Sequence, residues 1–142
     1  MKVREVMTRD VRTVRADQPV QEAASFMLST DSGSIPVMDG EQLIGMITDR
    51  DIAVRGIAKG HGPDTPVGDL MTADLVVVRI DDDVADVATK MSDAQVRRLP
   101  VIDEEERLCG IISLGDLSRQ TDNDCASEAL EGVSEPGGQH QQ

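Results

Sequence analysis

The stretch GMITDRDI, residues 45–52, returns 65 residues later as GIISLGDL, residues 110–117. Outward from this pair, the echo extends over most of the chain. At an offset of 64, Val3 meets Val67, Met7-Thr8 meets Met71-Thr72, Val14-Arg15 meets Val78-Arg79, and Pro36-Val37 meets Pro100-Val101. One extra residue in the acidic turn Asp103–Glu106 moves the offset to 65, so that Gly45 meets Gly110 and Asp51 meets Asp116. Self-similarity at a fixed period is the signature of a repeated supersecondary unit.

Each copy reads as the same order of elements. A short opening segment ends at Met-Thr, and a brief Val-rich strand follows, around Val11–Val14 and Leu75–Val78. An amphipathic helix comes next. Val20, Ala23, Ala24, Met27 and Leu28 recur at helical spacing, as do Val84, Val87, Ala88 and Met91. The spacing assigns these methionines to core packing rather than to a cofactor. Pro19 suits the first turn, and the run Asp81–Asp83 favours the positive end of the second helix dipole. Two strands, Ser34–Met38 and Gln42–Ile47, flank the tight-turn pair Asp39-Gly40. Their counterparts are Leu99–Ile102 and Leu108–Ile112. A last helix is expected to begin near Thr48 and near Ser113.

The fold class is therefore mixed α and β, with two β-α-β-β-α repeats at 1–60 and 67–119 and a breaker-rich linker at 61–66. One repeat of this size buries too little surface to be robust alone, so the two are expected to pack face to face about a pseudo-twofold axis. Residues 120–142 are acidic and without periodicity, a composition expected to be disordered, with Ala126–Leu130 long enough for one helical turn.

Composition narrows the functional classes. The formal charge is −13, and Phe26 is the sole aromatic residue. The charge is uneven: residues 1–60 carry eight basic and nine acidic side chains, residues 61–142 six and eighteen. This field opposes nucleic acid and anionic membranes, and no platform exists for stacking bases. With no apolar leader after Met1 and no run long enough to span a bilayer, a cytoplasmic protein is expected. Cys109 in an apolar strand and Cys125 in the tail fit one buried and one exposed thiol better than a disulfide. His61 and His140 lie in linker and tail, with no partner for metal binding or for a nucleophile–base pair, so neither a metal site nor an enzyme is expected.

Three motifs recur in register: Val-Met-Thr and Leu-Met-Thr at 6–8 and 70–72, Ile-Pro-Val and Leu-Pro-Val at 35–37 and 99–101, and the GMITDRDI/GIISLGDL pair. On these the chain resembles a tandem pair of CBS domains, a Bateman module, over residues 1–119. It is similar in particular to small stand-alone bacterial CBS-pair proteins.

Thr48-x-x-Asp51 and Ser113-x-x-Asp116 each carry two readings. As a capping box, each satisfies free N–H groups at a helix start. As a ligand site, the hydroxyl donates to a phosphate and the carboxylate accepts from the vicinal hydroxyls of a ribose, beside the positive end of the helix. The resemblance implies that Thr48 and Asp51 contact an adenine nucleotide, AMP, ADP or ATP, as a regulatory rather than obligatory ligand. It also implies that each cleft borrows from the other repeat. Arg97 and Arg98, with Arg50, would then serve the Thr48 site, while Gly33 and Ser34 would serve a weaker second site at Ser113 and Asp116. The implied function is a non-catalytic regulatory module acting through a homodimer or an effector protein. The competing reading is a stress-response or interaction protein with no nucleotide ligand.

Overall fold

The computed structural model describes residues 1–120. The acidic tail beyond them, with Cys125, Ala126–Leu130 and His140, lies outside the described residues. The chain folds into two compact units whose limits do not follow the repeats. Among the described residues one, the Thr48 unit, is Arg12–Leu75; the other, the Ser113 unit, joins Met1–Val11 to residues 76–120.

The Thr48 unit contains β1 (Val14–Arg15), α2 (Val20–Thr30), β2 (Ser34–Asp39), β3 (Gln42–Thr48) and α3 (Val67–Leu70). Between β3 and α3 the chain winds as a π-helical turn, Asp51–Gly56, continued by a 3₁₀ turn, Ile57–Lys59. The Ser113 unit contains α1 (Val3–Val6), β4 (Val78–Arg79), α4 (Val84–Ala94), β5 (Arg98–Ile102), β6 (Leu108–Ser113) and α5 (Leu114–Gln120). Each unit has a three-stranded sheet with β2 or β5 central, parallel to the two-residue strand and antiparallel to the third. Pro36 and Pro100 occupy central strands at positions the two-residue strands do not reach, where a missing N–H is tolerated.

The opening segments explain the odd unit limits. In the Ser113 unit the Val3 N–H donates to Asp82 O and the Val84 N–H to Met1 O, at 2.9 and 3.1 Å. In the Thr48 unit the Val67 N–H donates to Gln18 O and the Val20 N–H to Thr65 O, each at 2.8 Å. These are the same bonds, one repeat apart. The chain thus exchanges its openings: the opening segment of the first repeat completes the unit built from the rest of the second, and the opening segment of the second completes the unit built from the rest of the first. Apolar burial follows the exchange. Val3, Val6 and Met7 join Val87, Met91, Leu99, Ile112 and Leu117 in one core; Val67 and Leu70 join Val14, Ala23, Ile35 and Ile47 in the other. Each fully buried Val or Leu so placed contributes roughly 1.5–3 kcal/mol.

Met-Thr then pairs with the last strand. Thr8 exchanges two backbone bonds with Ile111, at 2.8 and 2.9 Å, and Thr72 does the same with Met46. These crossings dictate the motif glycines. A Cβ at Gly110 would lie 2.5 Å from Thr8 O, and one at Gly45 2.9 Å from Thr72 O and 2.7 Å from the Met71 sulfur.

The structure corrects some expectations. Ala24 and Leu28 are exposed, Leu28 at 86%, because α2 buries only the narrower stripe Val20, Ala23 and Met27. The Val-rich strands form at Val14–Arg15 and Val78–Arg79, and a short helix precedes each. Pro19 is the cap of α2 rather than its first helical residue. Asp81–Asp83 leads into the N-terminus of α4, but the three carboxylates hold separate partners: Asp81 pairs with Arg4, Asp82 accepts the Arg79 N–H, and Asp83, the N-cap, makes no side-chain cap bond and lies 3.5 Å from Lys2 Nζ. The helices end in left-handed residues at Asp31 and Gln95, repeat equivalents that are not glycine and so give no signal in sequence. In the acidic turn, Asp103 accepts the backbone N–H groups of Arg107 and Glu105, both at 2.9 Å. The Arg107 N–H leads in holding its carboxyl below the usual range.

Gly110→Ala is expected to lower stability by about 1–3 kcal/mol, since a backbone carbonyl cannot yield as a side chain does. Gly40→Ala has open space but a positive φ, so it tests conformational strain alone. Urea unfolding of both variants checks this: equal losses would refute the close approach as the cause.

Candidate functional site

The two Thr/Ser-x-x-Asp segments fold alike. At the end of β3 the Thr48 N–H donates to Asp51 Oδ2 at 3.1 Å, and the Asp51 N–H donates to Thr48 Oγ1 at 3.0 Å. At the end of β6 the Ser113 N–H donates to Asp116 Oδ2 at 2.9 Å, and the Asp116 N–H to Ser113 Oγ at 3.1 Å. Both are reciprocal capping pairs, with aspartate where glutamate or glutamine is usual. Capping alone does not require burial, yet Asp51 and Asp116 are 8% and 5% exposed. A carboxylate withdrawn from water must keep hydrogen-bond partners, and each cap supplies only one of its two oxygens.

The second oxygens differ. Asp51 has long contacts: Thr72 Oγ1 lies 3.4 Å from both carboxylate oxygens and Arg55 Nη1 lies 3.9 Å from Oδ1. Asp116 Oδ1 accepts from Arg119 Nη2 at 2.7 Å. Arg55 also donates to Met71 O at 3.0 Å, tying the π-helical turn to the exchanged opening segment.

Of the other residues expected at a site, Gly33 and Ser34 fall beside Thr48 in its own unit. The Asp49 N–H donates to Gly33 O at 2.9 Å, and Ser34 stands opposite Thr48 in the β2–β3 register. Directly opposed residues share one face of a sheet. Ser34 is buried, and its hydroxyl has no hydrogen-bond partner among the described residues. Arg50 is exposed, its N–H held by Asp49 Oδ1 at 2.8 Å. Arg97 and Arg98 stand in the Ser113 unit, where Arg97 O accepts the Leu114 N–H at 2.8 Å and Arg98 opposes Ser113. Neither guanidinium has an ion pair or hydrogen bond among the described residues.

Thr72, Arg55 and Arg119 were not among the residues singled out in the sequence. Arg119 had a readable signal, three residues after Asp116 on one helix. Thr72 had none beyond the repeated Met-Thr. Cys109 is half-buried in β6; burial pushes its thiol up, so it is a poor nucleophile at neutral pH. Among the described residues no three His, Cys, Asp or Glu side chains gather as a metal site, and no helix is long and apolar enough to cross a membrane.

Thr48→Val and Ser113→Ala each remove one cap acceptor. Each is expected to cost about 1 kcal/mol in urea unfolding. No loss in either variant would remove the structural half of the motif's role.

Comparison with known proteins places these paired motifs. The CBS domain in the family's description matches residues 3–55 and 67–121. The CBS domain-containing protein YhcV of Bacillus subtilis is 42% identical over 133 residues, 93% of this chain and 94% of that protein. Among solved structures, Hypoxic Response Protein I with two coordinated zinc ions superposes with a TM-score of 0.79 at 34% identity, over 86% of this chain and all of that one. CBSX2 in complex with AMP superposes with a TM-score of 0.74 at 29% identity, over 83% of this chain and 93% of that one. Two matched domains, each closing on the same capped aspartate, mean that the chain belongs to the CBS-domain family and carries two CBS domains in tandem.

Proposed function

We propose that this chain is a non-catalytic regulatory module that binds an adenine nucleotide at the Thr48 and Asp51 segment. One observation carries the reading. Asp51 is buried, yet among the described residues one of its oxygens is left with long contacts only, next to a sheet face that holds the Ser34 hydroxyl, itself without a hydrogen-bond partner among those residues. Buried polar groups normally find partners, and a ribose offers the vicinal hydroxyls this carboxylate lacks. The AMP complex of a similar CBS protein supports the same class of ligand. Ser34 joins Thr48 and Asp51 as a polar contact on this reading, and Arg50 adds exposed positive charge at the helix start. Arg97 and Arg98 enter as phosphate contacts on the family pattern alone.

Ligand binding shifts a conformational equilibrium only by its differential affinity for the two states. On this reading the change is read by self-association or by an effector protein. The exposure of Leu28 and Ile57 supports self-association, since covering apolar side chains of this size favours a dimer.

Calorimetric titration with AMP, ADP and ATP tests the ligand. Asp51→Ala is expected to weaken binding at least about tenfold, the scale of lost hydrogen bonds to a charged group, and Arg98→Ala to weaken ATP more than AMP. Unchanged affinity in Asp51→Ala would refute the site, and no binding by the native protein would favour an interaction protein without a nucleotide. Sedimentation is expected to show a dimer at micromolar concentration that Leu28→Arg drives toward monomer; a monomeric native protein would refute the dimer.

A further inference from the structure

We propose that Arg119 is an internal guard that occupies the Asp116 carboxylate and closes the Ser113 segment to nucleotides, so that the Thr48 segment works alone. This deepens, and rests on, the nucleotide reading above. The two segments share the same capping bonds, so the cap cannot make them unequal. They part at the second carboxylate oxygen, where Arg119 Nη2 sits 2.7 Å from Asp116 Oδ1 while, among the described residues, Asp51 has no side-chain partner closer than 3.4 Å beyond its cap.

Local sequence places the guard. Arg119 stands three residues after Asp116, and its side chain folds back over the first turn of α5. Residue 115 leaves it room: a Cβ on Gly115 would lie 3.3 Å from Arg119 Nη1 and 3.6 Å from Ser113 Oγ. The repeat equivalents of Gly115 and Arg119 are Arg50 and Val54, and a valine cannot pair with a carboxylate. Arg55, one position further on, reaches only 3.9 Å from Asp51 Oδ1.

A guanidinium and a pair of ribose hydroxyls compete for the same acceptor. Both bonds end on an ionised carboxylate, but the guanidinium adds a positive charge and is tethered three residues away on the same helix, whereas the ribose hydroxyls are neutral and must be drawn from solution, so the arginine wins at low nucleotide concentration. Its side chain is 67% exposed, so solvent and salt screen the pair and the guard can be displaced. A closed fraction lowers apparent affinity in proportion to the fraction that is open.

Equilibrium dialysis with AMP is the test. The native protein is expected to bind one AMP per chain, lost in Asp51→Ala. Arg119→Ala and Arg119→Gln are expected to bind two, the added site gaining about tenfold in affinity, and Asp116→Asn in the Arg119→Ala background to abolish the second only. One AMP per chain in both Arg119 variants, or loss of the native AMP in either, would overturn the guard while leaving the nucleotide reading intact. Binding of two AMP by the native protein would overturn it as well. No AMP bound by any of these proteins would overturn the nucleotide reading and the guard together. Side-chain ¹⁵N NMR of the full chain reads the contact without ligand. Restricted rotation of the Arg119 guanidinium, released in Asp116→Asn, is expected; free averaging in the native protein would also overturn the proposal.

Discussion

The pairing of each Met-Thr segment with the last strand of a sheet is the constraint on which the rest depends. Thr8 with Ile111 and Thr72 with Met46 each exchange two backbone bonds, and both crossings run over a glycine because no side chain fits beneath them. A three-stranded sheet with one main helix leaves apolar surface uncovered. The short helices α1 and α3 supply Val3, Val6, Val67 and Leu70 to cover it. Each unit is therefore assembled from two separated pieces of chain. Neither repeat, cut out at its sequence limits, would carry its own complete core.

The same crossing segments bear on the site. Thr72 lies within 3.4 Å of both Asp51 oxygens, and Arg55 bonds the carbonyl of Met71 while approaching Asp51. A group that satisfied Asp51 would compete with contacts that tie the π-helical turn to the opening segment of the other repeat. A buried carboxylate, a cap and an exchanged segment share one cluster of bonds. Capping and ligand contact are thus compatible, since the cap uses Asp51 Oδ2 and leaves Oδ1 with long contacts.

Much of this was legible in the repeat. The strands at 34, 42, 99 and 108 and the helices beginning at Val20 and Val84 follow from period and turn chemistry, and their bounds differ from expectation by a residue or so. Where sequence reading failed, side-chain periodicity met a fact about neighbours. Ala24 and Leu28 fit a helical stripe but face away from the core, because a sheet of three short strands accepts only a narrow one. The left-handed ends at Asp31 and Gln95 carry no glycine to announce them. Arg119 and Thr72 stood in plain view; spacing alone puts Arg119 within reach of Asp116, but no local pattern says that the Thr72 hydroxyl, 21 residues away, approaches Asp51.

By itself the sequence determined the repeat, the order of elements, the family and the two capped aspartates, since all of these rest on local period and on motifs a few residues long. Tertiary structure alone decided which opening segment completes which core, why Gly45 and Gly110 must lack a side chain, and how the two aspartates differ. Those outcomes depend on backbone approaches and second-oxygen contacts between residues far apart in the chain or folded back across a helix turn. Local pattern does not encode such distances; packing does.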